Sequence, residues 1–187
     1  MLHLLEDELL GKGRTRECYR HPENVYLCIK VDRRKGDRRS KLRREGRAKR
    51  EIEELKRLAN REMRLIVPGY HGSVPTQFGV GHIFDYITNN GETAPSLLRF
   101  LRQNPNMKSS VLSQLKTDLI DSGAIVSDLH GENILIISHP GVDLQFALID
   151  GFSEGTFIKK GRYIKYFARK RLLKKWRQIE KQFSEEI

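Results

Sequence analysis

Cysteine, tryptophan and methionine are scarce in this sequence, and long apolar runs are missing. Two cysteines in 187 residues, Cys18 and Cys28, supply neither a disulfide framework nor a metal cluster; they fit a reducing compartment and read as small buried hydrophobes. The longest purely aliphatic run, Ile134 to Ile137, falls far short of the ~20 residues that cross a bilayer. The opening MLHLLEDELL is acidic where a secretion signal carries basic residues before its apolar core, so a cytoplasmic, non-transmembrane protein is expected. No internal repeat or low-complexity linker interrupts the chain, and its length suits a single domain.

Positive charge is what the sequence has in excess: 35 Lys and Arg against 24 Asp and Glu leave a net charge of +11. With 38% hydrophobic residues, the chain is a folded, basic protein, and disorder throughout is excluded. The charge is uneven. Residues 30–64 hold 16 basic and 7 acidic side chains, residues 159–187 hold 11 and 3, and the remainder is net acidic. Such flanks suit phosphate-rich partners, although solvated helix faces have the same composition.

Turn chemistry and periodicity divide the chain into elements. Leu9-Leu10-Gly11-Lys12-Gly13 and Glu17 to Arg20 read as short strands meeting at a glycine turn, and Val25 to Asp32 as a third strand after His21-Pro22-Glu23-Asn24. The charged stretch Asp32 to Lys41 is expected to be an exposed loop or a frayed helix start. A helix follows over Leu42 to Arg61, with Ala48, Ile52, Leu55, Leu58 and Ala59 within one arc. Glu51 shares that arc, Glu53 points almost opposite, and Glu54 falls outside its edge. Gly81 to Ile87 predicts a buried strand, ended by Asn89-Asn90-Gly91. Two helices follow, one opened by Pro95 and running to Arg102, the other holding Val111, Leu112, Leu115 and Leu119 and stopped by Gly123. The apolar pieces 124–126, 134–137 and 146–149 bracket Asp128, Asn133 and Asp150. Beyond Gly161 a basic helix carries Tyr163, Phe167, Leu172, Leu173 and Trp176.

Singly these features mean little. In order they are a glycine pair between strands, Lys30 on a strand, Glu51 on a helix, Asp128-Leu129-His130-Gly131-Glu132-Asn133, and Asp150-Gly151-Phe152 after a strand. Phosphoryl transfer needs these groups: backbone N–H donors and a lysine for the phosphates, hard oxygen ligands for magnesium, and a carboxylate near the acceptor hydroxyl.

On these residues the chain resembles the protein-kinase-like superfamily, and in Cys18 to Glu23, Cys28-Ile29-Lys30 and Tyr70-His71-Gly72 it resembles the YrbL family of PhoP regulatory network proteins. The resemblance implies a compact α+β kinase-like fold over 1–187, with a small antiparallel-sheet N-lobe and C helix over about 1–88 and a reduced, mostly helical C-lobe over about 92–187. It implies Asp128, Lys30 and Glu51 as catalytic residues, with Glu51 the ion-pair partner of Lys30. Gly11, Gly13, Lys30, Asp85 and Tyr86 would contact ATP, with Phe84-Asp85-Tyr86-Ile87 as the adenine-receiving hinge, and Asn133 and Asp150 would hold Mg²⁺.

Some positions depart from that pattern. Arg16 stands where a third glycine is common, and Ser127 and His130 replace the arginine and lysine around the catalytic aspartate of protein kinases. The string resembles small-molecule phosphotransferases more closely. Only 37 residues follow Asp150, without an Ala-Pro-Glu motif or a helical platform for peptides. The expected activity is therefore an ATP- and Mg²⁺-dependent kinase acting on a hydroxyl of a small molecule or glycoconjugate. The alternative is a non-catalytic nucleotide-binding regulator of the same fold. No recognition-helix, zinc or base-stacking motif points to specific nucleic acid, and the basic C-terminal helix is expected to make at most weak contact with anionic surfaces. His130 fits a γ-phosphate contact or a loop-holding hydrogen bond.

Overall fold

The computed structural model describes residues 1–13, 15–32, 38–89, 91–152 and 161–186. The expected basic loop at 33–37, Asn90 and the stretch 153–160 lie outside the described residues, as do the side chains of Tyr163 and Phe167. The fold is mixed α+β and divides into two compact units. Met1–Lys49 with Pro68–Ile87 form the first, and Arg50–Val67 with Thr88–Ile187 form the second.

The first unit is built on a five-stranded antiparallel sheet in the order β1-β2-β3-β5-β4. Its strands are β1 (Leu9–Lys12), β2 (Arg16–His21), β3 (Asn24–Asp32), β4 (Tyr70–Thr76) and β5 (Gly79–Asp85). Alternation along the strands gives the sheet two faces. Register pairs Tyr19 with Ile29 and Ile29 with Ile83 on one face, where Leu4, Tyr19, Ile29 and Val31 make a core flanked by Leu2, Leu9, Val74 and Ile83. The other face receives Cys18 opposite Lys30 and Cys28 opposite Phe84. The strand β4 was not foreseen from sequence, because Gly72 and Pro75 dilute its β character. Its pairing is supplied by β5, from Tyr70 opposite Phe84 to Thr76 opposite Gly79.

Helix α1 (Arg38–Ala59) begins in the first unit, where Arg44 Nε lies 3.3 Å from the Asp32 carboxylate, and continues into the second. It starts at Arg38, inside the charged stretch read as a loop or a helix start, and four residues before the periodic pattern begins at Leu42. The second unit adds the short hairpin β6 (Thr88–Asn89) and β7 (Glu92–Thr93), α2 (Leu97–Gln103), α3 (Lys108–Ser122), the hairpin β8 (Ile134–Ile137) and β9 (Gln145–Leu148), and α4 (Gly161–Glu186). Ser96 caps α2, its hydroxyl accepting the Arg99 N–H, so the helix starts just past Pro95. Leu97, Leu101, Leu115, Leu119, Ile134, Ile136, Phe146, Leu148, Ile179 and Phe183 are all fully buried. Each such side chain contributes about 2 kcal/mol through removal from water.

One buried group works against this core. Asp118 on α3 is 5% exposed, with one oxygen lacking a hydrogen-bond partner and the other 3.8 Å from Arg64. Burial, reinforced by Asp121 and opposed by Arg64, raises its pKa above the ordinary 3.8. The native state therefore holds the proton more tightly than the unfolded chain. Stability from this group is full below the ordinary value and is lost as pH rises through the raised one. In thermal melts between about pH 4 and pH 8, Asp118→Asn is expected to gain stability relative to the parent as pH increases.

Candidate functional site

The C-terminal half of α1 fixes the chain that leads into the Asp128 loop. Glu54, 5% exposed, receives two bonds from Arg57, Nε at 2.7 Å and Nη2 at 2.6 Å, and its Oε1 also accepts the Ile125 N–H at 2.9 Å. Arg57 Nη2 donates on to the Gly123 carbonyl at 2.8 Å and Arg61 Nη1 to the Ser122 carbonyl at 2.6 Å. These two guanidinium groups satisfy carbonyls at the end of α3 that have no partner within the helix. Glu54 is thus buried, against the expectation from the apolar arc, because its charge arrives already paired with Arg57. Glu51, one turn earlier, is buried as the arc predicts, at 3% exposure, and Glu53 is exposed.

From Val126 onward the loop is laced to the segment after β9. Val126 bridges Phe152. The Ser127 and Asp128 N–H groups both donate to the Gly151 carbonyl, at 2.8 and 3.2 Å, and the Asn133 side-chain nitrogen donates to the Asp128 carbonyl at 3.3 Å. The Asn133 carbonyl accepts the Ile149 N–H at 3.0 Å. Gly151 sits at φ +84°, and a β-carbon there would lie 2.0 Å from the Asp128 carbonyl oxygen and 3.4 Å from Asn133 Nδ2. Only a residue without a side chain allows this approach.

The result brings Asp128, Asn133 and Asp150 together in the second unit. The Asp150 carboxylate accepts its own neighbour's N–H, Gly151 N, at 2.7 Å. The Asp128 carboxylate is 68% exposed and lies 3.0 Å from His130 Nε2, so it faces solvent beside the imidazole. Among the described residues no three His, Cys, Asp or Glu side chains form a preformed metal cage. The Asp150 carboxylate and the Asn133 amide oxygen are the hard-oxygen groups that could hold a metal ion here.

The remaining sequence-predicted residues belong to the first unit, except Glu51. Lys30 is 8% exposed, with its Nζ 4.9 Å from the centre of the Phe84 ring. A hydrogen bond with Cys18, together with burial, pushes the Cys28 thiol well above its ordinary pKa; Cys18 is only partly buried. Gly11 faces Cys18 in the β1–β2 ladder, and the Gly13 N–H donates to the Arg16 carbonyl at 2.8 Å. Neither adopts positive φ, so the turn does not use the freedom of glycine, and a β-carbon at Gly11 would meet nothing within 4 Å.

Asp85 is more engaged than its sequence role implies. Its carboxylate accepts the Gly69 N–H at 2.7 Å and contacts His71 Nε2 at 2.6 Å, while its carbonyl accepts the Cys28 thiol at 3.6 Å. The Tyr86 N–H donates to Tyr26 at 2.8 Å, and the Arg20 guanidinium stacks on the Tyr86 ring. His71 and Gly69 carried no positional signal toward Asp85, since the strands β4 and β5 bring them together. Gly151→Ala is expected to cost at least ~3 kcal/mol in urea unfolding, from the backbone clash and the left-handed strain combined.

Comparison with known proteins gives the lineage. Residues 2–184 match the family described as PhoP regulatory network protein YrbL. The YrbL proteins of Escherichia coli (strain K12) and Shigella flexneri are each 30% identical to this chain over 189 aligned residues, covering 96% of it and 86% of their own length. With its sequence matched almost from end to end, the chain belongs to the YrbL family of PhoP regulatory network proteins.

Proposed function

We propose that the protein is an ATP- and Mg²⁺-dependent phosphotransferase of protein-kinase-like fold that phosphorylates a hydroxyl on a small molecule or glycoconjugate. The observation that carries this reading is the backbone lock between residues 127–133 and 149–152. It holds an exposed carboxylate, an amide and a second carboxylate together at the ends of buried strands. The exposed Asp128 carboxylate takes no part in that lock, so a purely structural role does not require it.

In this reading Asp128 accepts the proton of the acceptor hydroxyl as its oxygen bonds to the γ-phosphorus, and ADP departs with the electrons of the broken P–O bond. His130, at 3.0 Å, orients the carboxylate. Asn133 and Asp150 would hold magnesium, which when bound neutralises charge on the phosphate oxygens. By the family resemblance Lys30, Glu51, Gly11 and Gly13 would serve the phosphates, and Asp85 and Tyr86 the adenine. The Asp85 carboxylate itself serves Gly69 and His71, and the Asp85 and Tyr86 N–H groups donate to the Gly69 and Tyr26 carbonyls.

ATP with Mg²⁺ is expected to raise the melting temperature of the purified protein, and acceptor-dependent ADP release to follow in a screen of sugars and small alcohols. Lys30→Met should abolish the shift with the fold intact by circular dichroism, and Asp150→Ala should lower turnover by ~100-fold or more. A thermal shift without product in any acceptor screen would favour the non-catalytic nucleotide-binding regulator. A folded protein that neither binds nor hydrolyses ATP excludes both readings.

A further inference from the structure

The phosphotransferase reading leaves the C-terminal helix unexplained. Between Arg169 and Ser184, α4 carries seven basic side chains and a single acid, Glu180. One stripe, Leu172, Trp176, Ile179 and Phe183, is buried. Glu180 is turned toward that packed edge, where it accepts the Trp176 indole N–H at 2.7 Å and lies 3.6 Å from Lys116 of α3. On the opposite side Lys170, Lys174, Arg177 and Lys181 are exposed, and at 100° per residue they fall within an arc of about 60°. They form one straight cationic ridge roughly 16 Å long, with Arg169 and Arg171 exposed beside it.

Neighbours of like charge at i, i+3 and i, i+4 destabilise a helix, and a surface serving only solubility intersperses both signs. The basic stretch 30–64 does intersperse them, with 7 acids among 16 cations; the α4 ridge does not. A polyanion relieves the repulsion. Leu173 supplies the second clue, being an apolar side chain 38% exposed on the flank next to Lys170 and Arg177. Within the described span 169–184 the exposed face offers no aromatic side chain for stacking on bases. A row of cations with one adjacent leucine matches a plane of anionic headgroups over an acyl region.

We infer that the outer face of α4 docks on an anionic phospholipid bilayer, with Lys170, Lys174 and Arg177 on the headgroups and Leu173 at the acyl boundary. The inner side of the same helix holds the Asp128 loop. Gln182 accepts the Gly131 N–H at 3.2 Å, the Phe183 ring lies 2.8 Å from where a Gly131 β-carbon would stand, and Lys108 donates to the Phe183 carbonyl. Docking therefore anchors the loop that carries Asp128 and Asn133 to the lipid surface.

The test is co-sedimentation of the full chain with phosphatidylcholine vesicles, with and without phosphatidylglycerol, at low and high salt and without nucleotide, so that it is independent of phosphoryl transfer. Binding is expected only to the anionic vesicles and to weaken with salt. The triple variant K170Q/K174Q/R177Q should bind at least ~10-fold more weakly, while K170R/K174R/R177K binds like the parent and both keep the parent's melting temperature. Equal binding by the triple variant would overturn the proposal. So would a parent protein that ignores anionic vesicles yet binds duplex RNA through these three residues.

Discussion

The second unit depends on the contact between the Gly151 backbone and the Asp128 carbonyl. The two loops approach so closely that the space for a β-carbon at residue 151 is already taken by the Asp128 oxygen. The Gly151 carbonyl then gathers the N–H groups of Ser127 and Asp128, and the Asn133 amide closes the far side of the Asp128 carbonyl. Buried backbone groups must find partners, and here the partners lie in the opposite loop. The order Asp-Gly-Phe follows from this, since the residue directly after Asp150 must be the one without a side chain.

That contact is useful only if both loops arrive at fixed positions. On one side, Asn133 just precedes β8 and Asp150 lies just past β9, strands buried at every position but Gln145. On the other, Glu54, Arg57 and Arg61 secure residues 122–125 just ahead of Asp128. Charged side chains do this work where apolar packing could not, because the groups to be held are carbonyls and an N–H. The Glu54 carboxylate is tolerated in the interior because a bidentate guanidinium and a backbone donor replace its water. From a third direction, Gln182 and Phe183 of α4 bear on Gly131.

In the first unit a single sheet separates two environments. Alternation puts Tyr19, Ile29, Val31 and Ile83 on the aliphatic face, and Cys18, Cys28, Lys30 and Phe84 on the other. A cation is less costly to bury against a ring face than against aliphatic carbon, and the Phe84 ring lies 4.9 Å from the Lys30 Nζ on this face. The Asp85 carboxylate ties the end of β5 to Gly69 and His71, fixing where the chain leaves the sheet.

The sequence by itself determined the elements whose signals are local and periodic: the meander of β1 to β3, the apolar arc of α1 with Glu51 inside it, α3 ending at Gly123, and the buried pieces that became β8 and β9. It also marked Asp128, Asn133 and Asp150 as a group, because spacing along a loop and a following strand can be read residue by residue. What it did not contain was any pairing across distance. β4 is too diluted by proline and glycine to declare itself without β5, and Glu54 reads as exposed until Arg57 and Ile125 meet it. Nothing local announces that Gly69 and His71 will take the Asp85 carboxylate. Tertiary structure decided these because a hydrogen bond between residues 14 to 71 positions apart has no local periodicity to announce it. Its strength comes from exclusion of water, which exists only once the chain has folded.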